Sequence, residues 1–184
     1  MSRSKRKGKN KARCRLSFGT LLRCEWEQVD RRAMLIGGVV LLALAILCLL
    51  AAGSPLYARH MLCLPDCMPQ SWCIFLVGAV TFFLLGALIG ALCAAPSPAL
   101  LRARFRGLMF LVPVALFRLF WYPLFFGAIT PALALISLCI AVFFAVLALI
   151  ALLPVFRLAC PVILIQLLWL GWLICANFLV LWLN

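Results

Sequence analysis

Acidic residues are almost missing: four occur in 184 positions, Glu25, Glu27, Asp30 and Asp66, and none follows residue 66. The apolar part of the chain therefore lacks the carboxylates on which proton relays and ion-coupled pumps depend, which argues against a charge-coupled transporter. Histidine occurs once, at His60, a thin basis for a metal site. There is no Ser/His/Asp constellation, no pair of carboxylates and no glycine-rich phosphate loop, so acid/base and nucleophilic catalysis have no candidate residues and the chain reads as non-enzymatic. Charged residues of all kinds make up only 11%, well short of the roughly 25% of a soluble domain. What is present instead is apolar: 68% hydrophobic residues and a mean hydropathy of +1.22. A secreted enzyme, a soluble nucleic-acid binder and a disulfide scaffold are excluded on these grounds, despite a formal charge of +13 and ten cysteines. At about 20 apolar residues per ~30 Å crossing, the chain has room for roughly five membrane spans.

Positive charge is concentrated at the start. Eleven of the seventeen Lys and Arg lie in residues 1–32, and the other six are Arg59, Arg102, Arg104, Arg106, Arg118 and Arg157. Residues 1–15 form a basic arm without acids that repels itself and cannot build a core, so it is expected to be disordered. Such an arm suits anionic lipid or nucleic acid. Its simpler role, fixing topology by positive charge, is the one favoured here, and nucleic acid is not expected as a partner. In residues 16–32, Leu22, Trp26 and Val29 recur at helical spacing against Arg23, Glu25, Glu27 and Asp30, which predicts an amphipathic juxtamembrane helix.

Spans are predicted at 33–52, 73–95, 107–126, 132–153 and 158–183, making residues 33–184 an all-α, five-helix transmembrane bundle. The first run, behind a 32-residue basic segment, is too long for a signal peptide and reads as a retained anchor. The third run carries Pro113 and Pro123, which predicts a kinked span whose freed carbonyls are satisfied by neighbouring helices. Loop charges alternate: the arm, then Arg59, then Arg102, Arg104 and Arg106, then none, then Arg157, then none. The positive-inside rule accordingly predicts a cytoplasmic N-terminus and an outside C-terminus.

Several residues invite chemistry. His60, Cys63, Asp66 and Cys67 crowd the first loop, with Cys73 just beyond; metal or haem ligation, a Cys63 to Cys67 disulfide and plain loop residues all remain open, the last favoured because the spacing matches no strong metal template. Cys14 and Cys24 lie in the basic region within reach of acylation, and the cysteines inside the spans read as small hydrophobes. Arg118 costs at least roughly 2.5–3.5 kcal/mol near mid-span. It either snorkels to an interface marked by Trp121 and Tyr122, the favoured reading, or lines a polar cavity and meets an anion. In the last span, Gln166 and Asn184 coincide in angle at 100° per residue, with Trp169, Leu173 and Asn177 within about 60° of them. This stripe is expected to face the bundle interior, for a pocket or for helix-to-helix hydrogen bonds, with Trp182 as an interfacial anchor on the other side.

These residues also carry a family likeness. Residues 121–127, W-Y-P-L-F-F-G, followed by Pro131, Leu133 and Leu135, resemble the W-S-x-L-F-F-G…P-x-L-A-L signature of the translocator protein or tryptophan-rich sensory protein family (TspO/MBR). Trp169, Asn177, Phe178 and the terminal Leu183 and Asn184 resemble that family's last helix. Pro65, Pro69 and Trp72 resemble its first-loop P-x-x-x-P-P-x-W, and Phe82, Leu85 and Gly86 fall where its second helix has Tyr and Met-Gly. The likeness covers residues 56–184. Departures are equally specific: Tyr57 is displaced from the family's Trp-Tyr pair, Gly78 stands where Trp is usual, Arg118 replaces Asn, and Leu173 replaces a small Ala. The resemblance implies a five-helix bundle, often a homodimer, whose cavity takes a porphyrin, another haem-like tetrapyrrole or a sterol-like lipid; light-dependent porphyrin breakdown there is its enzymatic variant. It requires no cofactor. Its site would comprise Pro65, Pro69, Trp72, Phe82, Arg118, Trp121, Trp169, Leu173 and Asn177.

Overall fold

A computed structural model describes residues 30–53, 62, 71–94, 101–154 and 156–184. The basic arm, residues 16–29 and the loop bearing His60, Cys63, Pro65, Asp66, Cys67 and Pro69 lie outside the described residues. Five helices follow one another: α1 Arg31–Ala51, α2 Ser71–Cys93, α3 Leu101–Tyr122, α4 Pro131–Leu152 and α5 Ala159–Leu183, with a π-helical turn, Pro123–Gly127, extending α3. The described residues contain no strand. All five helices are long and apolar enough to cross a membrane, and the chain is an integral, multi-pass, all-α bundle. Lipid offers no hydrogen-bond partners, so each span satisfies its backbone internally by coiling.

Two helix starts take in arginines that the sequence reading left outside the spans. Asp30 caps α1, its carboxylate accepting from the Arg32 N–H at 2.9 Å, so Arg31 and Arg32 belong to the first span and not to the predicted juxtamembrane helix. A short acceptor just ahead of an apolar run satisfies an orphan amide, and the helix starts there. Likewise α3 begins at Leu101, six residues before the expected 107, so Arg102, Arg104 and Arg106 lie in its first turns and not in a loop. Charge does not end a helix at the membrane surface, where long cationic side chains reach water from helical positions.

Two kinds of packing hold the bundle. α1 and α2 cross through glycines: a Cβ on Gly86 would collide with the Gly37 carbonyl, one on Gly37 with the Gly86 carbonyl, and one on Gly90 with the Ala33 carbonyl. Gly86 and Gly90 are the small-x-x-x-small pair that lets membrane helices touch backbone to backbone. α4 instead presents Ala134, Leu138, Ala141, Ala145, Ala148 and Leu152 inward, alternating steps of four and three that keep one seam against its neighbours. On α5 the same alternation buries Ile163, Gln166, Leu170, Leu173, Asn177 and Val180. Large apolar side chains such as Leu35, Ile36, Leu47, Phe143 and Leu168 point outward, as lipid-facing positions should.

The irregularity expected of the third span falls at Pro123, while Pro113 sits inside α3. The widened turn closes through Ala128 N–H to the Pro123 carbonyl at 2.8 Å, and Thr130 N–H returns to the Leu124 carbonyl at 3.0 Å. Ile129 between them takes φ 50°, a left-handed conformation that a β-branched residue adopts at a cost of about 1–3 kcal/mol. The adjoining Pro131 then starts α4, where its missing N–H is no loss.

Candidate ligand-binding site

Polar side chains from three helices meet inside the bundle. Arg118 of α3 is only 3% exposed. Its Nη2 donates to the Thr81 hydroxyl of α2 at 2.8 Å, and its Nη1 donates to Gln166 Oε1 of α5. Gln166 Nε2 in turn donates to the Thr81 backbone carbonyl. The single Thr81 hydroxyl proton is shared between the Val77 and Gly78 carbonyls, each at 2.9 Å, which leaves its oxygen lone pairs for Arg118. The guanidinium also lies over Phe82, with Cζ 4.0 Å from the ring centroid, a cation–π distance.

This geometry overturns the snorkelling reading of Arg118. Trp121 and Tyr122, which were to mark the interface, are themselves buried at 4% and 6% exposure. Hydrogen-bond acceptors at the depth of Arg118 are available inside the bundle, so its side chain turns there. Residues three and four positions along a helix share a face, and Arg118, Trp121 and Tyr122 all point inward together.

Beside this network is a cavity lined by Phe82, Arg118, Trp121, Trp169 and Leu173, five of the residues singled out from sequence, together with Ile74, Tyr122 and Leu138. Its walls are aromatic: Trp121 lies 5.3 Å from Phe125 and 5.1 Å from Tyr122, and Tyr122 stacks on Phe82 at 6.0 Å. Its volume is about 10 Å³, room for one water at most. A tetrapyrrole enters only if helices part or side chains swing aside. Trp169 is half-buried and stacked on Trp172 at 5.0 Å. Among the described residues, two buried side-chain polar atoms have no partner: the Trp121 indole Nε1 and Asn177 Oδ1.

The remaining sequence-derived residues are placed differently. Asn177 is buried and donates through Nδ2 to the Leu173 carbonyl at 3.0 Å, without lining the cavity. Trp72, at the start of α2, is 62% exposed and is not a wall of the cavity. The stripe on α5 faces inward at Gln166, Leu173 and Asn177, while Asn184 is exposed and Trp182, 80% exposed, points outward. Cys48, Cys73 and Cys160 are half-buried, and Cys93, Cys139 and Cys175 exposed. Among the described residues no cluster of His, Cys, Asp or Glu is placed to hold a metal.

Sequence reasoning missed Thr81 and took Tyr122 for an interfacial marker, although its position four residues after Arg118 was a usable signal. It also missed a second cavity of about 80 Å³ between α1, α2 and the start of α5, lined by Met34, Leu84, Ala87, Leu88, Ala91, Phe156, Leu158 and Val162. That space is larger but apolar, with no polar side chain to select a ligand. No protein-family model matches the chain, and no curated protein matches it. The TspO/MBR likeness rests on the motif residues alone.

Proposed function

We propose that this chain is a TspO/MBR-like membrane sensor or carrier that takes a flat hydrophobic ligand, such as a porphyrin or a sterol-like lipid, between α2, α3 and α5. The observation that carries the proposal is the convergence of Phe82, Arg118, Trp121, Trp169 and Leu173, from three helices, on one aromatic-walled cavity. Apolar walls with a few fixed polar groups are what such a ligand needs. The proposal includes a non-enzymatic role, a cytoplasmic N-terminus and an outside C-terminus, the orientation favoured by the positive charges that flank the spans.

Titration of the purified protein with protoporphyrin tests it. Saturable quenching of tryptophan fluorescence together with thermal stabilisation is expected; the absence of both sinks the reading. One observation favours a second function, a small membrane scaffold or assembly protein without a small-molecule ligand, namely the cavity volume of only about 10 Å³. In that case the basic arm is the working part. Deleting residues 1–15 would then abolish the cellular phenotype while protoporphyrin left the protein unchanged.

A further inference from the structure

Arg118 has an unusual set of partners. A guanidinium stays charged under any physiological condition, and a charge within a membrane bundle is ordinarily paired with an opposite one or faces water. Here the partners are a hydroxyl, an amide oxygen and a phenyl face, all neutral. None of the five helices contains an Asp or a Glu, and among the described residues no carboxylate reaches it. The cation is held by dipoles and left without a counter-charge.

A second observation lies on the same cavity wall. Trp121 is 4% exposed, and its indole N–H has no acceptor among the described residues. An indole N–H is a donor only, so its need is for an oxygen. Among the described residues, the cavity lining thus includes a cation without an anion and a donor without an acceptor. One kind of group answers both: a carboxylate, with two oxygens and about four lone-pair directions. Gln166 Oε1, itself a neutral carbonyl oxygen on Arg118 Nη1, stands where one of those oxygens would bind.

We infer that Arg118 is the anion site of this cavity: a ligand carboxylate displaces Gln166 Oε1 from Nη1 and takes the Trp121 N–H as a second donor. The inference rests on the ligand-binding reading above and specifies its chemistry, since the ligand must be an acid. A neutral sterol or an esterified porphyrin lacks the group that the site recognises.

The test compares protoporphyrin with its dimethyl ester, which keeps the ring and removes both negative charges. The full-length protein is placed in nanodiscs of zwitterionic phosphatidylcholine, so that no lipid supplies the anion. At about 0.5 M salt, attraction to the basic arm of residues 1–15 is screened far more than a buried pair. The wild type is expected to bind the acid at least tenfold tighter than the ester. Trp121→Phe, which keeps a ring but loses the N–H, should weaken the acid severalfold more than it weakens the ester. In Arg118→Met the preference should vanish. Equal, saturable binding of acid and ester by the wild type overturns the anion site and leaves the ligand reading standing; binding of neither overturns both. A preference that disappears in wild type at high salt, or that survives in folded Arg118→Met, places the anion elsewhere and also overturns the inference. The wild-type comparison decides the matter even if Arg118→Met fails to fold.

Discussion

The hydroxyl of Tyr122 closes over Gly78: a Cβ built on that glycine would lie 3.1 Å from the Tyr122 oxygen. The phenol of α3 thus fills the space that a side chain on α2 would occupy, where the TspO/MBR pattern has Trp. Gly78→Ala should push the phenol aside and destabilise the protein by about 1 kcal/mol, at the low end of overpacking costs. Tyr122→Phe in the same chain should restore most of that loss, because only the hydroxyl is in the way. A double-mutant cycle read by thermal unfolding in detergent checks it; a Gly78→Ala effect that Tyr122→Phe leaves unchanged would assign the strain to another neighbour.

Glycines elsewhere should respond very differently. Gly86→Val drives a branched side chain into the Gly37 backbone and should cost about 2 kcal/mol or more. Gly171→Ala has nothing within 4 Å of the new methyl and should stay within about 0.5 kcal/mol of wild type. Unfolding in SDS titrations compares the two, and equal effects would refute the backbone contact between α1 and α2.

Removal of Gln166 should be worse than removal of the whole charged network. Gln166→Leu leaves the buried guanidinium with fewer partners, at an expected cost of about 3 kcal/mol. Arg118→Met combined with Gln166→Leu should recover much of it, since apolar replacement of both members strands no charge. If the double variant is less stable than Gln166→Leu alone, Arg118 itself is a net source of stability.

Tryptophans on opposite sides of the wall should separate in ligand binding. Trp121→Ala and Trp169→Ala each remove aromatic surface from the cavity and should weaken protoporphyrin binding more than tenfold, about 1.4 kcal/mol. Trp182 is 80% exposed, and Trp182→Ala should change affinity little. Equal losses in folded Trp182→Ala and Trp121→Ala would move the pocket to another face of the bundle.

Topology is open to direct measurement. In a variant otherwise free of cysteine, Asn10→Cys and Asn184→Cys should be labelled by an impermeant maleimide from opposite sides of the membrane, Asn184→Cys from outside. Labelling of both from one side contradicts an odd number of crossings.

Helix number was legible in the sequence because lipid imposes one requirement, a long apolar stretch, and hydropathy reports it directly. The start of α3 was not, because Arg102, Arg104 and Arg106 look aqueous although a helix can carry them at the membrane surface. The inward stripe of α5 was correct at Gln166, Leu173 and Asn177, since polar groups avoid lipid. What it grips was invisible: Thr81 is an ordinary threonine until Arg118 is placed beside it, and the snorkelling reading of Arg118 failed because periodicity within α3 cannot reveal acceptors on α2 and α5. The contact between α1 and α2 did leave a signal, Gly86-x-x-x-Gly90, which hydropathy alone passes over.

The Arg118 network also has an order in time. Ribosomes deliver α2 first, so Thr81 and Phe82 are already in the membrane when Arg118 emerges, but Gln166 is 48 positions further on. At about 5–20 residues per second, that is a delay of roughly 2–10 s. For that interval the nascent chain carries a guanidinium with a hydroxyl and a phenyl ring but no amide. The last helix is therefore more than a fifth wall: until it docks, the third helix has an incompletely satisfied cation in lipid, and chains truncated before residue 166 should be held by membrane quality control or degraded.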